Sequence, residues 1–379
     1  MKSVFFIDTG LEFGGGSKSL IALISELRKW GAVRLLAYFE NDYKTPENRQ
    51  ISDVLTELGV EFIRFKPKPK LNKFKKEILR LVNKQAVQKA QYELDFKFAL
   101  SLLREISPDA VHLNNHFSTN LAYLSAANVL DIPVIQHLRK NATIEPFKLE
   151  ILGGLKFMPI CVSNATYEFY NAQIKIPKCV IYNPAILAQD TKSNQDTTAT
   201  KECANSGKIT LLMAANYLEL KGHELVFEAF LECKRDDLLL LLAGSGKLSP
   251  SAEAKLSKLK ELGVARELGF VSDMSEAYKA ADYLLGFSSD EGLPRVVIEA
   301  LSCGLGVVFS DIAVAREIRA LCTNKDKFHL CKRTSQALSE LLSTLKPLIK
   351  SPDKGVIEAF SLRTYKDGVV RVYKDLGLA

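Results

Sequence analysis

Ser288-Ser289-Asp290-Glu291-Gly292-Leu293-Pro294-Arg295-Val296-Val297-Ile298-Glu299-Ala300 reads as a loop that opens a helix. Pro294 suits a first helical position, because the N–H it lacks is one that a helix start leaves unbonded. Glu291 lies on the loop, and Glu299 falls in the second helical turn beside Val296, Val297 and Ile298. A short apolar run at 283–286 precedes the loop, and another at 306–310 follows the helix. Strand, loop, helix and strand in that order form a parallel β-α-β unit.

Working outward, the same alternation fills the chain. The second half shows strands at 209–213, 238–243, 268–271, 283–286 and 306–310, with helices at 224–233, 252–262, 275–281 and 295–303 between them. The first half shows strands at 4–7, 33–38, 61–65, 110–113, 133–137, 159–162 and 179–182. Its helices fall at 17–30, 47–58, 71–103, with a break allowed, and 119–130. The strands are rich in Val, Ile, Leu and Phe and lack a polar alternation, which suits strands covered on both faces of a parallel sheet. Residues 187–207 are almost wholly small or polar, cannot bury a core, and read as a linker. The expected organisation is therefore an α/β domain over 1–184, a linker or exposed loop over 185–207, and a second α/β domain over 208–360. A helix within 361–379 is expected to pack back on the first domain.

The length of 379 residues suits two domains, and the mix of 47% hydrophobic and 25% charged residues excludes disorder, collagen and coiled coil as the main architecture. The net charge of +7 is local. Residues 64–89 hold ten basic side chains against Glu77 alone, a charge of +9, while 185–379 are neutral. The first apolar run ends at Asp8 and the longest leucine-rich run spans six residues, so a cytoplasmic chain without a signal peptide or spanning helix is expected. Seven cysteines, an odd number with no C-x-x-C pair, read as free thiols of a reducing compartment.

Two glycine turns follow strands. Gly14-Gly15-Gly16 precedes a helix whose free N–H groups can meet a phosphate, or forms a plain tight turn. It is neither a P-loop nor G-x-G-x-x-G, since Glu12, Ser17 and Ser19 occupy the required glycine positions. Gly244-Ser245-Gly246 sits where open α/β sheets bind ligands. Of the five histidines, His112 reads as core and His116, just past a strand end, as a candidate base or polar contact. No histidine spacing or Asp-x-Asp pair marks a metal site, and none is expected. Glu291 and Glu299 are the strongest feature: carboxylates accept pairs of hydroxyl hydrogen bonds, so two flanking a helix start fit a polyol such as a sugar or ribose.

These residues resemble glycosyltransferase family 4, retaining enzymes of the GT-B fold, whose E-x7-E motif reads here as Glu291-Gly292-Leu293-Pro294 through Glu299-Ala300-Leu301-Ser302-Cys303-Gly304. Ala281-Asp282-Tyr283, Gly269-Phe270-Val271, Leu242-Ala243-Gly244-Ser245-Gly246, Lys221-Gly222 and Gly14-Gly15 resemble its other landmarks, in the family's order and over nearly the whole chain. The resemblance implies two Rossmann-like doubly wound domains facing across a cleft. It implies a UDP- or GDP-sugar donor, with no further cofactor and no metal. It implies transfer to a glycan or lipid-linked acceptor in surface polysaccharide or lipopolysaccharide biosynthesis, of the hexosyltransferase type. By this resemblance Glu299 binds the ribose, Glu291 with Gly292, Leu293 and Pro294 the transferred sugar, and Lys221 the diphosphate. The Gly15 and Gly16 amides reach the diphosphate as well, Gly244 lines the donor, and Val271 lies near the base. His116 matches the family's N-domain histidine in position, so His116, Glu291 and Lys221 are the catalytic candidates.

One segment departs from the family: where it carries a diphosphate arginine before the Lys-Gly pair, this chain reads Ala215-Asn216-Tyr217. Either another cation compensates, with Arg139 and Arg295 as candidates, or diphosphate binding is weaker. The alternatives to a transferase are a GT-B epimerase or phosphorylase and a non-catalytic nucleotide-sugar-binding protein. The basic segment 64–89 carries Leu71, Phe74, Ile78, Leu81 and Val82 on one side of a helical wheel and Lys73, Lys76, Arg80 and Lys84 on the other. It reads either as a peripheral contact with anionic lipid on the inner face of the plasma membrane or as a helix packed on its own sheet. No nucleic-acid module is present.

Overall fold

A computed structural model describes residues 1–45, 48–63, 67–185, 207–271 and 273–379. The expected linker at 185–207 lies almost wholly outside the described residues, as do Glu47 and Arg64 to Lys66. The chain divides into two units, one formed by Met1–Asn183 with Leu362–Ala379, the other by Pro184–Ser361.

The first unit contains β1 (Ser3–Asp8), β2 (Arg34–Phe39), β3 (Glu61–Phe62), β4 (Ala110–Asn114), β5 (Val134–Leu138) and β6 (Met158–Cys161). They form one parallel sheet in the order β3-β2-β1-β4-β5-β6. Alternate residues feed opposite faces. Phe5, Ile7, Leu36, Tyr38, Val111 and Leu113 pack under Leu102, Leu103, Leu121 and Leu124. Val4, Phe6, Leu35, Ala37 and Ile135 pack under Leu20, Leu23, Ile24 and Leu27 of helix Gly15–Trp30. Burial on both sides is why these strands read as unbroken apolar runs.

The second unit contains β7 (Ile209–Ala214), β8 (Leu238–Ala243), β9 (Ala265–Gly269), β10 (Tyr283–Gly286), β11 (Gly306–Ser310) and β12 (Phe328–Cys331). Their order is β12-β11-β10-β7-β8-β9, again all parallel. Counted from its first strand, each sheet has the doubly wound order 3-2-1-4-5-6 of a Rossmann-like fold. The order reverses between β1 and β4 in one unit and between β7 and β10 in the other. Ligands of open α/β sheets bind outside the carboxyl ends of the strands at that point.

Several elements differ from the sequence expectation. Segment 179–182 joins β6 only through a single bridge, Cys161 to Val180, and is bracketed by Pro177 and Pro184, which limit a ladder. The expected helix 71–103 is two helices, Lys73–Val82 and Lys84–Ile106. Asn83 breaks them with an extended backbone and accepts from the Ala86 N–H at 2.7 Å, starting the second helix. The edge strand β12 escaped detection because its four residues are flanked by lysines and contain His329.

The last helix, Leu362–Asp375, buries Tyr365, Val369, Val372 and Tyr373 in the first unit's core. Its spacing of four, three and one is one face of a helix. Gly368 allows the close approach, since a Cβ there would lie 3.0 Å from the Ile181 side chain. Tyr373 OH bonds His112 Nδ1 at 2.8 Å, and His112 Nε2 faces His137 Nδ1 at 3.3 Å. Burial, and then the charge of Arg139, lowers the His112 pKa to about 3 and holds His137 well below the usual value.

Both rings therefore stay neutral in the folded chain, while in the unfolded chain they take up protons near pH 6.5. The stability this represents is complete above about pH 7 and is lost as pH falls below about 6.5. The slope is on the order of 1.4 kcal/mol per pH unit for each ring. Thermal unfolding followed from about pH 7.5 down to about pH 5 should show a melting temperature that begins to fall near pH 6.5. A flat profile would contradict the neutral buried pair.

Candidate functional site

At the carboxyl end of β7 the chain makes one turn, Glu219–Lys221, and reverses at Gly222, whose φ is +74°. A Cβ at Gly222 would stand 2.5 Å from the carbonyl oxygen of Phe287, the residue after β10. Only glycine permits both the left-handed backbone and this approach. The contact brings two loops together: Ser289 N–H donates to Leu220 O at 2.8 Å. Lys221 Nζ forms an ion pair with Glu291 Oε1, and Ser288 Oγ donates to the same oxygen at 2.8 Å. Ser310 Oγ in turn donates to Ser288 O at 2.5 Å. The Lys221 and Glu291 side chains are mostly shielded from water, which strengthens their attraction over that of a surface pair.

The helix that sequence placed from Pro294 runs Arg295–Ser302, with Pro294 as the cap residue before it. Its extended ψ of 93° keeps it outside the helix. Glu299 is held on both carboxylate oxygens. Tyr278 OH donates to Oε2 at 2.8 Å, and Arg295 Nη2 donates to Oε1 at 3.1 Å, one helical turn away. Each oxygen has two acceptor sites, so this clamp fixes the carboxylate without saturating it. Tyr278, nearly fully buried, is a site residue that sequence reasoning missed: within its short helix Ser275–Ala280 it reads as core. Arg333 is another. It follows β12 and donates from Nε to Phe287 O at 2.9 Å, so an edge strand braces the end of β10. A cavity of about 500 Å3 opens beside the turn, with Tyr217, Gly222, Lys247 and Arg333 among its walls.

The loops after β7, β8 and β9 are stitched as tightly. A Cβ at Gly244 would lie 2.1 Å from Ala215 O, and Gly246 has a φ of +129°. Tyr217 N–H donates to Ser245 O at 2.9 Å, and Gly244 N–H to Gly269 O at 2.8 Å. Asn216, exposed and uncharged, accepts weakly from Ser245 N–H at 3.4 Å. Val271, half-buried, follows Gly269, whose φ is +69°.

The remaining candidates belong to the first unit. Gly15 and Gly16 begin helix Gly15–Trp30 after an extended Gly14 that has no side-chain cap, and no acidic residue lies in the first turn. That helix start can accept an anion. Arg139 is committed elsewhere. It donates from Nε to Asn114 Oδ1 at 2.7 Å and from Nη2 to Tyr365 OH at 3.0 Å, and Nη1 bonds Asn183. Asn114 also faces Asp8, whose carboxylate accepts from Asn115 Nδ2 at 2.6 Å, Gly10 N–H at 2.9 Å and Tyr43 OH at 2.8 Å. Arg139 is thus an interior structural charge, not a spare cation. Arg295 pairs with Glu299 through Nη2. His116 precedes helix Phe117–Val129, and burial, then Lys140 and Lys148, lowers its pKa to about 4. At neutral pH it is an uncharged and weakly basic ring.

Residues 194–351 match the family model for group 1 glycosyl transferases. Alpha-monoglucosyldiacylglycerol synthase of Streptococcus pneumoniae is 24% identical over 238 residues, which cover 56% of this chain and 54% of that protein. An uncharacterized glycosyltransferase of Haemophilus influenzae is 28% identical over 150 residues, 38% of this chain and 40% of its own length. The matched stretches therefore span about half, or less, of these curated relatives. Among solved structures, Anabaena Alr3699/HepE in complex with UDP and glucose gives a TM-score of 0.71 at 16% identity, over 99% of this chain and 100% of that one. The likeness is one of fold, and the fold is GT-B. Among the described residues no helix is long and apolar enough to cross a membrane.

The strand-end contacts make a direct expectation. Gly244→Ala should destabilise the second unit by more than about 2 kcal/mol, because backbone must move to admit the methyl group. Gly263→Ala is the control: its φ is +67° but no atom lies within 4 Å of the added Cβ. It should cost only about 1 kcal/mol of backbone strain. Urea unfolding of both variants checks the difference, and equal costs would remove the close-approach argument.

Proposed function

We propose that this chain is a retaining glycosyltransferase that moves a hexosyl group from a UDP- or GDP-sugar to a hydroxyl of a glycan or lipid-linked acceptor. Its place would be the cytoplasm, in the building of a surface polysaccharide or lipopolysaccharide. The observation that carries the reading is the pair of clamped carboxylates, Glu291 beside Lys221 and Glu299 beside Tyr278 and Arg295, at the switch point of the second sheet. The family model covers that region, and a GT-B neighbour holds UDP and glucose.

In this reading Glu299 accepts ribose hydroxyls, and Glu291 accepts hydroxyls of the transferred sugar. Lys221 meets the diphosphate, Gly244 and Val271 line the nucleotide, and Gly292, Leu293 and Pro294 shape the loop around the sugar. Gly15 and Gly16, in the first unit, stand at a helix start whose amides suit an anion. The Lys221–Glu291 pair keeps both charges satisfied before the donor arrives. When the donor binds, its phosphate takes a share of the ammonium and its hydroxyls a share of the carboxylate, so neither group is stripped of a partner. As the glycosyl bond breaks, charge builds on the leaving phosphate oxygen, where Lys221 lowers the barrier. The acceptor hydroxyl attacks on the face from which the diphosphate departs and gives its proton to the departing phosphate oxygen, so configuration is retained. His116, neutral at working pH, is better suited to hydrogen bonding than to strong general base catalysis.

Asn216 supplies no charge and Arg139 is taken up in the interior, so in this reading the diphosphate leans on Lys221, with Arg295 beside Glu299 as the second candidate cation. This favours weak nucleotide affinity, and a non-catalytic nucleotide-sugar-binding protein is the reading it would otherwise support. Transfer assays with added acceptor separate the two.

Glu299→Ala and Lys221→Ala should each lower turnover by at least about a hundredfold while far-UV circular dichroism stays that of the parent. Full turnover by either variant removes the assignment. Activity should persist in EDTA, since no step calls for a metal; loss on chelation with recovery on adding Mg2+ or Mn2+ would overturn that part. Thermal stabilisation by UDP or GDP, and not by nicotinamide dinucleotides, is the expected first screen.

A further inference from the structure

The basic segment has a structural peculiarity that the donor chemistry does not use. Helix Lys73–Val82 is capped by Asn72, which accepts from the Lys75 N–H at 2.7 Å, and it packs on helix Lys84–Ile106. Leu79 is half-buried, and Leu71 N–H donates to Gln91 Oε1 of that neighbour at 3.2 Å. The other apolar residues do not follow. Phe74 is 77% exposed, Ile78 47% and Leu81 88%. Their spacing of four and three aligns them as one stripe along the helix. Lys73, Lys75, Lys76 and Arg80 are exposed on the rest of the helix surface, Lys84 is exposed just past the Asn83 break, and the single acid, Glu77, is paired with Arg80 at 2.6 Å. A packed helix would turn this stripe inward; here Leu79, off the stripe, is the half-buried leucine and the stripe is left outward. Clustered exposed apolar residues mark an interaction site, and a basic rim selects an anionic partner that is apolar beneath its charge. A lipid bilayer has that layering.

We propose that helix Lys73–Val82 is an interfacial helix that docks the first unit on an anionic lipid bilayer. Phe74, Ile78 and Leu81 enter the boundary between headgroups and acyl chains, and Lys73, Lys75, Lys76, Arg80 and Lys84 lie among the lipid phosphates. The inference deepens the lipid-linked acceptor reading above, yet stands on residues outside the donor site, so lipid binding and sugar transfer can fail separately.

The test is flotation of the full chain with vesicles of phosphatidylcholine alone and of phosphatidylcholine with about 30% phosphatidylglycerol, a proportion that gives a strongly negative surface. Binding is expected on the anionic vesicles and weaker by at least about tenfold on the neutral ones, with the anionic affinity falling as salt is raised. Lys73→Gln with Lys76→Gln should lower anionic affinity by about thirtyfold at low salt, from two charges near the surface. Phe74→Ser with Leu81→Ser should lower it by at least about tenfold at high salt as well. Leu81→Trp should show a blue-shifted emission on anionic vesicles, against the background of Trp30, the one tryptophan of the chain. Equal binding to both vesicle types, anionic binding unchanged in the variants, or a dimer in sedimentation that Phe74→Ser with Leu81→Ser abolishes would each overturn the proposal. Transfer to a soluble acceptor should be unaffected by these substitutions, and its loss in the parent chain would count against the donor-site reading, not this one.

Discussion

Two positions without a Cβ hold the loops at the carboxyl ends of the second unit's strands together. Gly222 lets the turn after β7 touch the carbonyl after β10, and Gly244 lets the turn after β8 touch the carbonyl after β7. Any side chain at either would push neighbouring strand ends apart by more than an ordinary rotamer change could absorb. Everything chemical at this end depends on that closeness. Lys221 reaches Glu291 because its loop is pinned to Phe287 and Ser289, and Arg333 braces the same carbonyl from the far side. The ion pair is thus the product of backbone proximity. A long flexible lysine needs a fixed origin if its position is to be reproducible, since its own rotamer freedom is large.

The first unit uses the equivalent place differently. Where β1 and β4 end side by side, Asp8 and Asn114 are paired in register, and both are buried. Asn114 lies between the Asp8 carboxylate and the Arg139 guanidinium, so two opposite charges are joined through an amide without direct contact. Leaving one of these groups unpaired in the interior would cost about 1–3 kcal/mol or more. The network therefore behaves as a unit. It lies beside the start of helix Gly15–Trp30, where a Cβ added at Gly16 would meet Asn115 Oδ1 at 3.6 Å and the Arg139 side chain at 3.8 Å.

The legible parts of the chain are those written in local patterns. Alternating apolar runs and helical stretches give the two α/β units, and two glutamates eight residues apart around a helix start are visible without any tertiary knowledge. The resemblance gives Lys221 and Glu291 separate roles, and their ion pair, seventy residues apart, is seen only in the fold, because no local rule links those loops. Tyr278 and Arg333 were hidden for separate reasons. A buried tyrosine on a short helix looks like core until its hydroxyl is seen at Glu299, and Arg333 follows a four-residue strand whose charged flanks mask it. The reverse error concerned Arg139. From sequence it is a loop cation just past a strand; in the fold, Asn114, Asn183 and Tyr365 take up its guanidinium. The helix 73–82 shows the limit of the wheel, which finds an apolar stripe but not the direction in which it points.

The closing helix Leu362–Asp375 belongs to the unit that begins the chain. Its two tyrosines serve groups laid down more than two hundred residues earlier: Tyr373 meets His112, and Tyr365 meets Arg139. During synthesis those interior groups wait for partners until the second unit has already been made. The unit whose strands are translated first is therefore completed after the second, and residues 362–379 act as the seal on its interior.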